Sequence, residues 1–412
     1  MKTRKLSIIF LPIVVAALNI LIIFYPRESL AAARDALLLW ALNVLPGIFP
    51  FVVGANVLMA IGGAAFFGEL LSPVMKAVFK VPGIGGFALA IGLVSGYPVG
   101  TKVVCEMRLG SEISKTEAQR LVAFTSNAGP LFILGAVGAG MFGSSHLGYF
   151  LLAAHYMGAL AVGLIMRFYR HRSEKSYKNS EDRQFPLHIR AYRSLELTRR
   201  RDGRGFGLIL AHSILNSIET MLLIGGFIVL FSVISVILEL SGLFAVLSAV
   251  IAPILGFFGI SEALHSGVFV GLVEMTNGVN ILSHHGISSQ TIALTAAIIS
   301  FGGLSILFQS INFISKTDIS TSIFVICKLT HGVFAAVLTA ILYMPFSGII
   351  QTSQTVMVYS HTVTSRFLHS VTHFAAVIAI LCIVTMVVAV VHGIRKNHGK
   401  RMKKSYKDTT MC

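Results

Sequence analysis

Apolar runs long enough to cross a bilayer follow one another along most of the chain. One occupies residues 6–24, a second residues 37–61, and a later, uninterrupted one residues 147–168. A helix needs about 20 predominantly apolar residues to cross the hydrocarbon core. The pattern therefore predicts an all-α polytopic membrane protein. The first run follows a basic N-terminus, as in a signal peptide, but it is longer than a usual signal core, so we predict a retained transmembrane helix over residues 1–30.

Two of the apolar segments in the first half are interrupted by polar residues, glycine and proline. The first interruption is SGYPVGTK at residues 95–102, and the second is TSNAGP at residues 125–130. Proline removes a backbone hydrogen-bond donor, and glycine weakens a helix. At membrane depth, such breaks are tolerated only where the freed backbone is buried in protein or lines a watery cavity. Both breaks are therefore predicted to lie inside the protein.

The second half of the chain repeats this pattern. A polar segment, EMTNGVN at residues 274–280, lies about 180 residues after the first break, and SFGGL at residues 300–304 lies near the counterpart of the second. Transporters often carry such internal symmetry. We predict two structural repeats, over residues 31–169 and 207–348.

The distribution of charge predicts how these repeats are oriented. The net charge is +16, and most of the surplus lies near the N-terminus, in the linker at residues 170–206 and in the C-terminal tail. Because positive charge marks cytoplasmic loops, these three are predicted to be cytoplasmic, and residues 349–369 to form an extracytoplasmic loop. Residues 370–412 then comprise a C-terminal transmembrane helix and a basic tail. The two halves are inverted, with about 10–12 membrane segments, and the broken segments either span or re-enter.

Composition excludes several classes of protein. With 55% hydrophobic and 12% charged residues, the chain is no ordinary soluble domain. Its basic segments are expected to contact membrane lipids and not nucleic acid, because no nucleic-acid-binding module accompanies them. The four cysteines show no CxxC pairing, the histidines lack ligand spacing, and we expect His155 to be packed or hydrogen-bonded. We expect no metal site and no cofactor, and no enzymatic motif is present. Whether H⁺ or Na⁺ is a coupling ion is left open by the sequence.

The breaks bring polar residues together near the predicted midplane. Half-helix N-termini there direct partial positive charge at an anion. Alternative roles are open: Lys102 can snorkel to the interface, the amides can join helices, and Glu274 can be protonated, paired or facing water. The candidate substrate-binding residues are Ser95, Tyr97, Thr101, Lys102, Ser126, Asn127, Glu274, Asn277, Asn280 and Gln309.

Several segments also resemble a known family. They are SGYPVGTK at 95–102, EAQRL at 117–121, SNAGPLF at 126–132, VPG at 81–83 and AHY at 154–156. They resemble sporulation integral membrane proteins of the nucleoside-recognition, or Gate, domain group, which is similar to concentrative nucleoside transporters. The resemblance implies a place in the mother-cell-derived outer forespore membrane and transport of dipicolinate toward the forespore.

The residues and the resemblance together predict a transporter of a small organic anion. One alternative is a nucleoside/cation symporter. An alternative of another class is a non-transporting sporulation membrane scaffold that recruits partners through the linker at residues 170–206.

Overall fold

The computed structural model describes residues 2–170 and 185–352, and every regular element in these ranges is a helix. The predicted all-α fold is confirmed. Three predicted segments lie wholly or partly outside the described residues: 370–412, 353–369 of the extracytoplasmic loop, and 171–184 of the linker. The α-helices are α1 (Lys2–Phe24), α2 (Pro26–Leu39), α3 (Leu45–Ala60), α4 (Gly63–Val74), α5 (Gly85–Ser95), α6 (Val99–Leu109), α7 (Lys115–Thr125), α8 (Ser145–Met166), α9 (Leu187–Asp202), α10 (Phe206–Leu240), α11 (Leu243–Phe257), α12 (His265–Val273), α13 (Met275–Ser283), α14 (Ser289–Phe301), α15 (Gly303–Ile314) and α16 (Thr321–Thr352). Three π-helical segments, Trp40–Val44, Met75–Phe79 and Leu131–Met141, and the 3₁₀ turn Glu262–Leu264 complete them.

Several of these helices are long and apolar enough to cross a membrane. Among the described residues, four spans meet this criterion: α8, α10, the α14–α15 pair, and Thr321–Pro345 of α16. The count rises to six if each sharply bent pair is one span, with bends of 101° between α1 and α2 and 84° between α3 and α4. Shorter apolar helices, among them α5 and α12, accompany them. The protein is therefore a polytopic helical membrane protein.

The same succession of broken and continuous helices occurs twice along the chain. The interrupted pair α5–α6 is followed by α7 and the π-helical segment Leu131–Met141, and then by the long helix α8. In the second half, α12–α13 is followed by α14–α15 and then by the long helix α16. The helix order thus follows the repeat in the sequence. The exact domain boundaries and the inversion of the two halves stay predictions.

Glycines allow the broken helices to pack with their backbones in contact. A Cβ atom at Gly92 or Gly100 would lie 2.0 Å from the carbonyl oxygen of Thr125. In the second half, a Cβ atom at Gly278 would lie 2.1 Å from the Cα atom of Gly271. These separations are far below van der Waals contact. Each half therefore depends on glycine to bring its broken helices together.

The apolar core joins the two halves. Buried Phe87 and Leu121 of the first half share one cluster with Phe324 of α16. A second cluster combines Ile133 with Ile299. Since both clusters draw residues from both halves, the breaks of the two halves lie against one shared core.

The loop before α16 is held by polar contacts from α6 and α7. Arg108 donates to Asp318 with both Nε and Nη2, at 2.9 and 3.0 Å. This contact lowers the pKa of the Asp318 carboxyl. The Gln119 side chain binds the backbone of Ser320, accepting from its N–H at 2.7 Å and donating to its carbonyl at 3.2 Å. The start of α16 is therefore fixed against the first half.

The described part of the linker contains a basic helix, Leu187–Asp202. This helix, α9, packs against α4, where Arg190 forms a hydrogen-bonded ion pair with Glu69. Ala191 is fully buried at the contact. At the end of α9, a hydrogen bond from Arg204 lowers the pKa of Asp202 to about 2. The described part of the linker is thus attached to the first half.

The predicted topology can be tested by cysteine labelling in intact vesicles. We expect Ser194→Cys, in α9, and Ser360→Cys, in the predicted extracytoplasmic loop, to be labelled from opposite faces, because basic segments are retained on the cytoplasmic side. Labelling of both positions from one face would contradict the inverted arrangement.

Candidate functional site

The first break separates α5 from α6. Helix α5 ends at Ser95, which is buried, and Gly96 follows with φ of 78°. The Tyr97–Pro98 peptide bond is cis. The Tyr97 hydroxyl donates to the Ile299 carbonyl at 2.9 Å and lies 2.8 Å from the sulfur of Met275. Tyr97 therefore ties the first break to α13 and α14 of the second half.

The second break separates α7, which ends at Thr125, from the π-helical segment that begins at Leu131. Ser126 and Asn127 are almost completely buried there. The amide of Asn127 donates to the Phe124 carbonyl at 2.8 Å. Both predicted breaks are thus true interruptions of the helix, and the backbone groups that they free need partners from other elements.

Helices α8 and α16 supply those partners. The Lys328 ammonium donates to the Ser126 carbonyl at 2.8 Å, and the Ala128 N–H donates to His155 Nε2 at 2.9 Å. Because Nε2 of His155 accepts, the proton of a neutral His155 lies on Nδ1, which donates to the Ser300 hydroxyl at 2.7 Å. His155 is therefore hydrogen-bonded as expected.

His331 completes this arrangement. Its Nε2–H donates to the His155 carbonyl at 2.8 Å, which leaves Nδ1 as an acceptor 3.5 Å from Lys328 Nζ. Lys328 and His331 are both fully buried. Hydrogen bonds thus connect five buried residues, which are Ser126, Lys328, His331, His155 and Ser300.

Glu274 occupies the break between α12 and α13. Its two carboxyl oxygens accept from the backbone N–H groups of Thr276 and Asn277, at 3.0 and 2.8 Å. Glu274 is therefore a buried N-cap of α13. A carboxylate is favoured in this position because a helix N-terminus carries partial positive charge.

Lys102 is buried and lines a cavity. Its ammonium donates to the Thr220 hydroxyl at 2.9 Å and lies 3.7 Å from the Glu106 carboxylate. The residue is only 7% exposed. The cavity measures about 490 Å³ and lies between α6, α10 and α15, where its other polar lining residues include Asn216, Glu219, Asn312 and Lys316.

Several buried polar atoms at the breaks lack a hydrogen-bond partner among the described residues. Leaving such an atom unsatisfied costs about 1–3 kcal/mol, so a group of them calls for an explanation. A ligand-binding site is one explanation that suits their position on the broken helices of both halves. The atoms are Thr101 Oγ1, Thr125 Oγ1, Ser126 Oγ, Asn127 Oδ1, Gln309 Oε1 and Ser310 Oγ.

The remaining predicted site residues are distributed differently. The Gln309 amide donates to the Ser305 hydroxyl at 3.4 Å within α15. Asn277 is half-buried on α13, whereas Asn280 is exposed. Lys328 was not among the predicted residues, although it carries the signal that identified Lys102, which is a charged side chain within an apolar run.

The role of Glu274 as a helix cap can be tested by substitution. We expect Glu274→Ala to lower the free energy of unfolding by about 1–2 kcal/mol, because two backbone N–H groups lose their acceptor. Glu274→Gln keeps one acceptor and should lose less. Thermal unfolding of the purified protein measures both. Glu262→Ala, at an exposed glutamate before α12, is the control. Equal melting temperatures for the two alanine variants would contradict the capping role.

Comparisons with known proteins place the chain in a family. No family model and no solved structure matches it. The chain is 36% identical over 346 residues to the sporulation integral membrane protein YlbJ of Bacillus subtilis (strain 168). This alignment covers 84% of the chain and 85% of that protein. The chain therefore belongs to the YlbJ family of sporulation integral membrane proteins.

Proposed function

We propose that this protein transports a small organic anion, and that the anion is dipicolinate, moved from the mother cell toward the forespore. Membership in a family of sporulation integral membrane proteins supports the cellular setting. The resemblance to sporulation integral membrane proteins supports dipicolinate as the substrate and the outer forespore membrane as the location.

The observation that carries this proposal is the meeting of interrupted helices inside a membrane protein. The breaks bury polar atoms that have no partner among the described residues, including those of Ser126 and Asn127. Transporters commonly build their substrate sites from discontinuous helices of this kind. A purely structural assembly gains nothing from leaving such atoms unsatisfied.

The charges near the breaks favour an anion over a neutral nucleoside. Two buried lysines, Lys102 and Lys328, belong to the interrupted first half and to α16, and Lys102 has the Glu106 carboxylate 3.7 Å away. Dipicolinate carries two carboxylates on a small aromatic ring, and ammonium groups, hydroxyls and helix N-termini all bind carboxylates. The Glu274 carboxyl is already engaged by backbone N–H groups, so it does not face the anion as an unpaired charge.

Uptake of labelled dipicolinate into proteoliposomes containing only this protein tests the proposal. We expect saturable uptake that unlabelled dipicolinate suppresses and that nucleosides do not. Suppression by nucleosides would favour a nucleoside symporter. A scaffold would show no uptake, and its sporulation defect would follow deletion of residues 170–205 and not changes at the breaks.

A further inference from the structure

Lys328 is a fully buried lysine in the first third of the long apolar helix α16. Its ammonium donates to the Ser126 carbonyl and approaches His331 Nδ1, and it lies 5.5 Å from the centre of the Tyr97 ring. Within the part of the chain that the structure describes, no carboxylate lies within ion-pair distance of it. Lys328 therefore contacts only neutral groups.

A buried charge without an ionic partner is costly, and proteins meet the cost by neutralising the group or supplying a counter-ion. The titratable groups that face Lys328 offer no negative partner at neutral pH. They are Tyr97 from the first break, His155 from α8, and Cys327 and His331 from α16 itself. The end of α7 contributes the Ser126 carbonyl, and α14 and α15 have no titratable residue. The charged Arg120 of α7 is bound to the carbonyls of Lys80 and Tyr169.

Donors for an anion lie beside this cation. Ser126, whose carbonyl accepts from Lys328, also carries a hydroxyl group. This hydroxyl has no hydrogen-bond partner among the described residues. The same is true of the neighbouring hydroxyl of Thr125, and both residues are at most 1% exposed. Ammonium and hydroxyl groups both donate hydrogen bonds to carboxylates, and those from the ammonium are charge-assisted.

We propose that a carboxylate of the bound anion neutralises the Lys328 ammonium, which is held between the Ser126 carbonyl and His331. The anion is then moved together with the proton that Lys328 carries. This inference deepens the proposed function and rests on it. The bound anion stabilises the ammonium form, and the ammonium form strengthens anion binding. When the anion leaves, the proton that Lys328 Nζ holds leaves with it to water on the same side of the membrane. One proton thus accompanies each anion.

Binding of labelled dipicolinate to the purified full-length protein between pH 6 and pH 9 tests this linkage. The carboxylates of the substrate stay ionised above about pH 6, so a change in affinity reports on the protein. We expect the Kd to rise by up to about tenfold per pH unit once the empty site has lost its proton. In proteoliposomes, an acidic exterior should accelerate uptake.

Two substitutions separate this role from a structural one. In Lys328→Arg the guanidinium stays protonated at every pH used. The affinity of this variant for dipicolinate should therefore not change with pH, and its uptake rate should not respond to a pH gradient. Lys328→Met should weaken binding about tenfold or more. Lys76→Met, at an exposed lysine in the first half, is the control and should behave like the wild type.

The outcomes distinguish this inference from the proposed function. Wild-type uptake that is independent of pH, or an unchanged pH dependence in Lys328→Arg, would overturn the linkage and leave the transport function standing. Absence of both binding and uptake in the wild type would overturn the two together. Since Lys328→Met removes the partner of the Ser126 carbonyl and can fail to fold, the arginine variant decides the question on its own.

Discussion

Lys102→Met is expected to lower dipicolinate uptake about tenfold or more, which corresponds to about 1.4 kcal/mol of lost stabilisation of the anion. The reason is the position of the ammonium, which is buried and lines a cavity of about 490 Å³. In an interior of low dielectric constant, one positive charge attracts an anion much more strongly than it does in water. Initial rates of uptake in proteoliposomes, normalised to the amount of folded protein, measure the effect.

Three control variants show whether the charge itself is responsible. Lys102→Arg keeps the charge and should retain most of the uptake. Thr220→Val removes the hydroxyl that accepts from Lys102 Nζ at 2.9 Å while leaving the charge in place, so uptake should change little. Lys76→Met removes an exposed lysine and should have no effect. Uptake at the wild-type rate in Lys102→Met, with a lowered melting temperature, would show that Lys102 is only a structural partner of Thr220.

Gly100→Ala and Gly278→Ala are each expected to destabilise the protein by about 3 kcal/mol or more. A methyl group at residue 100 would lie 2.0 Å from the Thr125 carbonyl oxygen, and one at residue 278 would lie 2.1 Å from the Gly271 Cα atom. Backbone atoms cannot swing aside as a side chain does, so the broken helices would have to separate. Thermal unfolding of the protein in detergent, together with the yield of monodisperse protein, measures the effect.

The control is Gly226→Ala, in α10. A Cβ atom at this position would meet no atom within 4 Å. Because alanine favours a helix over glycine by about 1 kcal/mol, this variant should be as stable as the wild type or slightly more stable. Melting temperatures of Gly100→Ala and Gly278→Ala equal to that of Gly226→Ala would show that the broken helices do not pack through their backbones.

Lys102 and Lys328 have different neighbours, and we expect different roles for them for this reason. Lys102 has a nearby carboxylate, Glu106, and lines an open cavity. Lys328 is held by the freed carbonyl of the second break. We therefore expect substitution of Lys102 to change uptake without changing its pH dependence, whereas Lys328→Arg should remove the pH dependence.

The sequence by itself determined the helical membrane character of this protein and the positions of its helix breaks. These features are local: an apolar run predicts a span, and proline or glycine within it predicts an interruption. The break around Pro98 and the one before Leu131 lie where the pattern predicted them. The N-cap at Glu274 could not be predicted from the sequence, since glutamate is not among the preferred N-cap residues.

Only the tertiary structure decided which side chains meet. Lys102 binds Thr220, 118 residues away, and Lys328 binds the Ser126 carbonyl, 202 residues away. No local pattern specifies such pairs, because they depend on how whole helices pack. For the same reason Asn280, which the sequence placed in the site, is exposed on α13. Lys328 is buried against the second break because α16 packs against α7 and α8, and that packing is decided by the shared core of the two halves.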